Sequence, residues 1–474
     1  MNPTAVGGRR SAVGGAAAAG VRRARRAQRG VVLVMVLAVT AVISFLVLDL
    51  NANMFVVQKA THIGDRRTVA YYNARSAVNL GRLTLVLQGL INGQLGGQQQ
   101  GGGRGVDVTP WSSMLFDFFA DENSRNTLLE GFAGIPGDMV KGFAVFDGNF
   151  AVTVVDEDGR INLNVAAQGD ESQQFIDRVL SWLIAPEQYE DLFSKEVADG
   201  QITTRDQLVA ALIDWADTND QMYQRAGASR GAEDNSYQSL PHPYVRKDCP
   251  YDSVEELRRV RGVGEDFWST FVDPDPTNPD ARTLTVWGQG KINVNSAPPR
   301  VLAAVICALA MDQKACDPRH FERVLLLVDA VKQLGGGRFS SPGHFTRAVS
   351  QGTEDVPGIP IDGGLADKWL TTIGKVFSLY VEGRAPVGGR PGGAAATRGR
   401  ARPRAAQVSR AEHRAAEEAE RARGDGADAS GAGGETQASD RPEDREVVVR
   451  LHVVMDTTSP WDTQGGRVLY WREL

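Results

Sequence analysis

Two stretches of the chain carry enough side-chain oxygen to hold a metal. Leu212-Ile213-Asp214-Trp215-Ala216-Asp217-Thr218-Asn219-Asp220 is followed by Gly231-Ala232-Glu233-Asp234-Asn235-Ser236-Tyr237. Oxygen-rich loops suit Ca2+, which takes six to eight oxygen ligands. The spacing is not that of an EF-hand, and a solvated acidic loop with helix caps accounts for the same residues. No His or Cys lies among them, which turns the chemistry away from zinc. The six histidines (His62, His242, His320, His344, His413 and His452) are scattered, none in an H-E-x-x-H or G-x-S-x-G context. No catalytic set emerges, so the chain reads as a non-enzyme. The three cysteines, Cys249, Cys307 and Cys316, form no C-x-x-C pair. Either Cys307 pairs with Cys316 in an oxidising compartment and leaves Cys249 over, or all are ordinary thiols.

A further motif is Val254-Glu255-Glu256-Leu257-Arg258-Arg259-Val260-Arg261-Gly262-Val263-Gly264. Helix, hydrophobic-x-Gly-x-Gly, helix is how helix-hairpin-helix modules begin, and their turn amides hold phosphate in DNA-binding proteins. The net charge of −6 and the absence of a basic stripe with interleaved aromatics speak against nucleic acid. A tight helical hairpin is the simpler reading.

The elements that position these residues start with an anchor. The 474 residues suffice for two or three domains, and 42% hydrophobic with 23% charged residues allow an ordinary core. Arg22, Arg23, Arg25, Arg26 and Arg29 precede Gly30 and an apolar run, Val31 to Leu48, broken only by Thr40 and Ser44. As a helix the run spans about 27 Å, against a bilayer core of about 30 Å. The arginines stay cytoplasmic by the positive-inside rule, which places everything after Asp49 across the membrane. A cleaved secretory signal would end in a small-x-small site, which Asp49-Leu50-Asn51-Ala52-Asn53 does not supply. A plain anchor and a prepilin-like leader, cut between Gly30 and Val31, remain. No proline occurs from Val31 to Thr109, and Val56, Val57, Ala60, Ile63, Ala70, Tyr71, Ala74, Ala77, Val78, Leu80, Leu83 and Leu87 trace a helical face. A helix to about residue 91 would be roughly 90 Å long. Half-embedded and half-amphipathic, it suits a pilin-type stem better than a plain anchor.

Arg29-Gly30-Val31-Val32-Leu33-Val34-Met35 resembles a type IV prepilin cleavage site. Met35 stands where most pilin-like proteins carry glutamate, a departure that is similar to K-type minor pseudopilins. That carboxylate is thought to pair with the N-terminal amine of the subunit below, so the resemblance implies a tip position for a chain that lacks it. An apolar residue also avoids placing a charge within the membrane.

Beyond the stem, Gly93 to Gly105 reads as a loop and Trp111 to Phe132 as a helix. Gly142 to Phe146, a turn at Asp147-Gly148-Asn149, and Phe150 to Val155 read as a β-hairpin. After a turn at Asp156-Glu157-Asp158-Gly159 comes Arg160-Ile161-Asn162-Leu163-Asn164-Val165-Ala166. The same box returns as Gly290-Lys291-Ile292-Asn293-Val294-Asn295-Ser296-Ala297. Its Ile faces a core while both Asn side chains bond nearby backbone. Helices are expected over Glu171–Leu183, Asp206–Trp215, Ser253–Val260 with Ser253 and Glu256 as a capping box, Pro298 to Leu309, Phe321–Val331 and Gly343–Ala348. Strands are expected at Phe377–Glu382, Val447–Val454 and Arg467–Trp471. Residues 385 to 444 are Gly, Ala, Arg and Glu with almost no large apolar side chain, so disorder is expected there.

Two Asn boxes enclosing helices resemble the type II secretion system protein K family, over roughly residues 29 to 383 and the C-terminal tail. The fold implied is α+β: a long N-terminal transmembrane helix stem and a pilin-like antiparallel β-sheet interrupted by a large inserted α-helical domain. The boundaries are a leader at 1–30, a stem at 31–91, the first part of the α/β domain at 92–168 and the insert at 169–283. A return strand at 284–300, further helices at 301–375, a strand at 376–384, the low-complexity insert at 385–444 and closing strands at 445–474 follow. Family members have only a short connection where this chain has 385–444.

The resemblance also implies a function. The chain would be a minor pseudopilin in the inner membrane, N-terminus cytoplasmic and C-terminal domain periplasmic. It would cap the pseudopilus tip with I-, J- and H-type minor pseudopilins, served by prepilin peptidase and the inner-membrane platform. It implies calcium, carried onto Asp217, Asp220, Glu233 and Asp234 with Asp214 as a neighbour. The alternatives are a minor pilin of a type IV pilus or competence system, and an anchored DNA-uptake protein using Gly262-Val263-Gly264.

Overall fold

A computed structural model describes residues 14–96, 148–195, 202–219, 221–223, 235–238, 240, 242–334, 337–387, 446–458 and 466–474. The expected helix at Trp111–Phe132, the strand at Gly142–Phe146 and the 385–444 insert lie wholly or almost wholly outside these residues. The chain divides into two compact units, Met1–Thr68 and Val69–Leu474.

The first unit is helical where it is described. It is the leading part of α1 (Gly14–Gly96), which starts and ends beyond the expected 31–91 span. Val32 to Leu50 are exposed along their whole length, among them Leu33, Val36, Phe45 and Leu48. Side chains this apolar (mean hydropathy 2.7) around a whole helix need a lipid or protein surround. Residues 32–50 thus lie in a helix long and apolar enough to cross a membrane.

The second unit is built on one antiparallel sheet, β1 (Asn149–Asp156), then β6 (Val376–Pro386), β7 (Glu446–Asp456) and β8 (Arg467–Glu473), in spatial order β1-β6-β7-β8. Everything between β1 and β6 is an insert. The sheet's register runs Val152↔Val381 and Val381↔Leu451, so alternate residues share a face. Phe150, Val152, Val154, Phe377, Leu379, Val381, Leu451 and Val453 pack against Ala70, Ala74, Ala77, Val78 and Leu85 of α1. The alanines fall three and four apart and make a smooth stripe. Gly383 uses it: a Cβ there would stand 2.0 Å from the Ala70 carbonyl oxygen and 2.5 Å from the Ala74 nitrogen. The Asn73 amide donates to the Arg384 carbonyl at 3.1 Å and fixes the register of helix on strand.

The insert occupies the other sheet face, and its halves repeat one design. The first half runs β2 (Ile161–Asn162), α2 (Asp170–Ile184), α3 (Arg205–Ala216), a 3-10 turn (Val254–Arg259) and β3 (Leu284–Thr285). The second runs β4 (Ile292–Asn293), α4 (Pro299–Leu309), α5 (Phe321–Leu334), α6 (Pro342–Gln351), α7 (Gly363–Trp369) and β5 (Leu370–Thr371). In each half the box strand pairs in parallel with the closing strand: Ile161↔Leu284 and Asn162↔Thr285, then Ile292↔Leu370 and Asn293↔Thr371. The stretch read as a return strand, 284–300, thus holds β3, which pairs with β2, and β4, which pairs with β5. α2 packs on α4 across the repeat, and Val301 to Leu309 are all buried in the shared core.

The helices follow the expected periodicity to within a few residues. Ser253 departs from it. Its side chain makes no cap bond; the Glu256 carboxylate instead accepts from the Asp252 amide at 3.2 Å, and the segment closes as a 3-10 turn. Cys307 and Cys316 are disulfide-bonded and Cys249 is free.

Candidate functional site

The Asn boxes are clamps. In the first, Asn162 Oδ1 accepts from the Asn164 amide at 3.0 Å, the local turn expected of Asn. Asn164 reaches far beyond nearby backbone. It donates to the Tyr251 and Val286 carbonyls at 2.9 and 2.7 Å and accepts from the Tyr251 amide at 2.6 Å. The second box repeats these bonds. Asn293 Oδ1 accepts from the Asn295 amide at 3.1 Å; Asn295 donates to Phe339 and Thr372 carbonyls at 3.1 and 3.0 Å and accepts from the Phe339 amide at 2.8 Å. Only a primary amide offers both donors and an acceptor in one plane. The boxes hold structure together, and no ligand is needed to explain them.

Between the sheet and the two repeats lies a group that sequence reading passed over as a turn. Asp156, Glu157 and Asp158 are all buried. Asp156 accepts from Asn293 and Ser296 at 2.7 and 2.6 Å and from the Asp158 amide at 3.0 Å. Asp158 accepts from Gln289 backbone and side chain at 2.7 and 3.0 Å and from the Lys375 and Val376 amides at 2.8 and 3.2 Å. Glu157 takes the hydroxyls of Thr285 and Ser378. His452 Nε2 lies 3.1 Å from Ser378 Oγ, and its ring stacks on Tyr380 at 4.4 Å. Burial, with the charges of Arg282 and Arg472, pushes the His452 imidazole down to about 3, so it is neutral. D-E-D-G has turn composition; its burial depends on partners up to 221 residues away and leaves no local signal.

The acidic loop is partly in view. Asp214 and Asp217 are both buried at the end of α3. Asp214 Oδ1 accepts from the Tyr223 amide at 2.6 Å, and Asp217 Oδ2 from Gln173 and Asn219 at 3.0 and 2.7 Å. Asp217 Oδ1 is buried with no hydrogen-bond partner among the described residues. Burial pushes Asp214 up to about 7, against the Tyr223 amide and with the Asp217 charge adding to it; burial also raises Asp217. Arg246 donates to the Asp214 and Asn219 carbonyls at 3.0 and 3.2 Å. An orphaned buried carboxylate oxygen fits a cation ligand. Asp220, Glu233 and Asp234 lie outside the described residues, and no group of three or more metal-ligating acids, His or Cys forms among those described.

The glycine turn at Gly262 serves packing. Val263 and Gly264 amides bond back to Val260 and Gly262 carbonyls at 3.1 and 3.2 Å, so neither is turned to a phosphate. Gly262 has φ +86°, and a Cβ would meet Thr203 at 2.7 Å. Arg258 covers the Trp268 ring at 3.9 Å. At the other end of the chain, Gly30, Val31 and Met35 lie within α1.

The chain joins an apolar N-terminal helix to an antiparallel sheet with a mostly helical insert between its first two strands. Residues 159–271 match the family model described as type II secretion system (T2SS), protein K. Over 111 residues, 23% of this chain, the sequence is 31% identical to type II secretion system protein K of Aeromonas hydrophila, and the match spans 30% of that relative's length. The matched segment is similar to the type II secretion system protein K family, and the match leaves the rest of the chain uncovered. Among solved structures, the crystal structure of the GspK-GspI-GspJ complex from the enterotoxigenic Escherichia coli type 2 secretion system is similar with a TM-score of 0.45 and 14% identity. That likeness covers 88% of this chain and 99% of the other.

Proposed function

We propose that the protein is a minor pseudopilin of a type II secretion system, which caps the tip of the periplasmic pseudopilus and helps initiate its assembly for export. The observation that carries this reading is the joining, in one chain, of an exposed apolar N-terminal helix to a sheet interrupted by a protein K segment. The work is assembly and not catalysis. Prepilin peptidase cuts between Gly30 and Val31 on the cytoplasmic side, and the chain stays in the inner membrane with its sheet and insert in the periplasm. Its partners are I-, J- and H-type minor pseudopilins and the inner-membrane secretion platform. Met35, in place of a carboxylate, suits the tip, where no subunit lies above. Calcium would be held by Asp217 with Asp220, Glu233 and Asp234. There it would neutralise carboxylates that burial makes costly and tie the loop to α3.

Co-purification of the full chain, extracted in detergent, with candidate I-, J- and H-type subunits tests the assignment. A stable complex that weakens when a chelator is added supports both the partners and the metal. Recovery of the chain alone, under conditions where the other subunits bind one another, contradicts it. The helix-hairpin-helix rival predicts sub-micromolar DNA binding at physiological salt, and the turn amides are already engaged within the protein.

A further inference from the structure

Three consecutive buried carboxylates join the sheet to both repeats of the insert. Asp156 ends β1 and is held by Asn293 and Ser296 of the second box; Glu157 bridges Thr285 of the first repeat to Ser378 of the sheet. Asp158 takes two amides at the start of β6 and both donors of Gln289, the link between repeats. Among the described residues, every hydrogen-bond donor to these carboxylates is neutral. Among the described residues two cations face the cluster, and each is shared. Arg160 donates to the Asp156 carbonyl and lies 3.4 Å from Asp280; Arg282 bonds Asp273 at 3.0 Å and the Tyr380 hydroxyl at 2.5 Å. His452, neutral, adds no charge. Three buried charges with two shared cations leave at least one negative charge uncompensated in a poorly solvated place.

We propose that closing this joint takes up one proton, carried on Asp156, so that the insert's hold on the sheet tightens in acid and loosens in alkali. Asp156 is the right acceptor. Burial raises Asp158 as well, but it receives four N–H bonds that favour its charged form, whereas Asp156 has one amide, one side-chain amide and a hydroxyl. The Ser296 hydroxyl can donate to the carboxylate or accept from the acid, so both protonation states keep their bond. Gly374 seals the site: a Cβ there would stand 2.3 Å from the Asp156 carboxylate. Burial and the Asp158 charge push Asp156 up to about 7, against the Ser296, Asn293 and Arg160 interactions. A carboxyl raised in the folded state stabilises most below the unfolded value of about 4. Its contribution falls as pH rises and is gone above about 7.

The test is thermal melting of the full chain in detergent from pH 5 to 8.5 at fixed calcium, wild type beside Asp156→Asn. Asparagine keeps the acceptor for the Asp158 amide and supplies a donor to Ser296, but it gives up the bond from Asn293, which donates to the same oxygen as Ser296. The wild type is expected to lose up to about tenfold in folded-to-unfolded ratio per pH unit between roughly 5 and 6.5. Asp156→Asn should lack that slope and gain steadily on the wild type from pH 5 to pH 8; the Asp214 contribution is common to both and cancels in the comparison. Equal slopes in the two proteins overturn the proposal. If Asp156→Asn does not fold, amide exchange at Lys375 and Val376 in the wild type decides. Protection that falls from pH 6 to pH 8, after correction for intrinsic rates, supports the proton-bound joint, and unchanged protection refutes it.

Discussion

Asn164 and Asn295 each satisfy three backbone groups that would otherwise be buried without partners. Asn164→Ala and Asn295→Ala should each cost about 2–4 kcal/mol, the range for orphaning several buried polar groups, read as a lower urea midpoint with an unchanged slope. A loss below about 0.5 kcal/mol would mean that the neighbouring backbone finds other partners. Asp217 belongs to the same scale. If its orphaned oxygen ligates calcium, adding Ca2+ raises the melting temperature of the wild type and does nothing for Asp217→Asn. An equal rise in both would place the ion elsewhere. The repeated Asn spacing was legible in the sequence because identical residue types recur in identical order. What the second Asn holds was not legible, since Tyr251 and Val286 lie 87 and 122 residues away.

At the scale of elements, Gly383 shows how a single missing side chain sets a packing distance. Gly383→Val would drive methyl groups into the Ala70 and Ala74 backbone and should destabilise the sheet–helix pair by about 3 kcal/mol. Limited proteolysis, with faster cutting in β6 and β7 than in α2, would locate the damage. Reducing the Cys307–Cys316 bond opens a short loop, separation 9, and should cost roughly 2–3 kcal/mol, seen as a lower melting temperature in reductant that Cys249→Ser does not alter. Long helices with a regular apolar period, such as Asp170–Ile184 and Phe321–Leu334, were readable within about three residues of their ends. The Val254–Arg259 turn was not, because Glu256 spends its carboxylate on Asp252 instead of closing a capping box with Ser253. β3 and β5 are two residues each and exist only through pairing with distant boxes, so no periodicity announces them.

For the whole molecule, the sequence carried the division of labour: an anchor, a sheet, and helices inserted in it. The insert's internal repetition and the acidic joint beneath it emerge only once distant segments meet. The assembly reading stands on the N-terminal processing of the anchor, since a pseudopilin must be cut on the cytoplasmic side and keep its apolar helix. Gly30→Leu, which places a bulky side chain before the scissile bond, should leave the precursor uncut. The most direct measurement is intact-mass and N-terminal peptide analysis of the protein extracted from membranes of cells that hold prepilin peptidase. The account predicts a mature chain that begins at Val31 and retains the apolar run; a chain that keeps residues 1–30, or begins after Leu48, contradicts it.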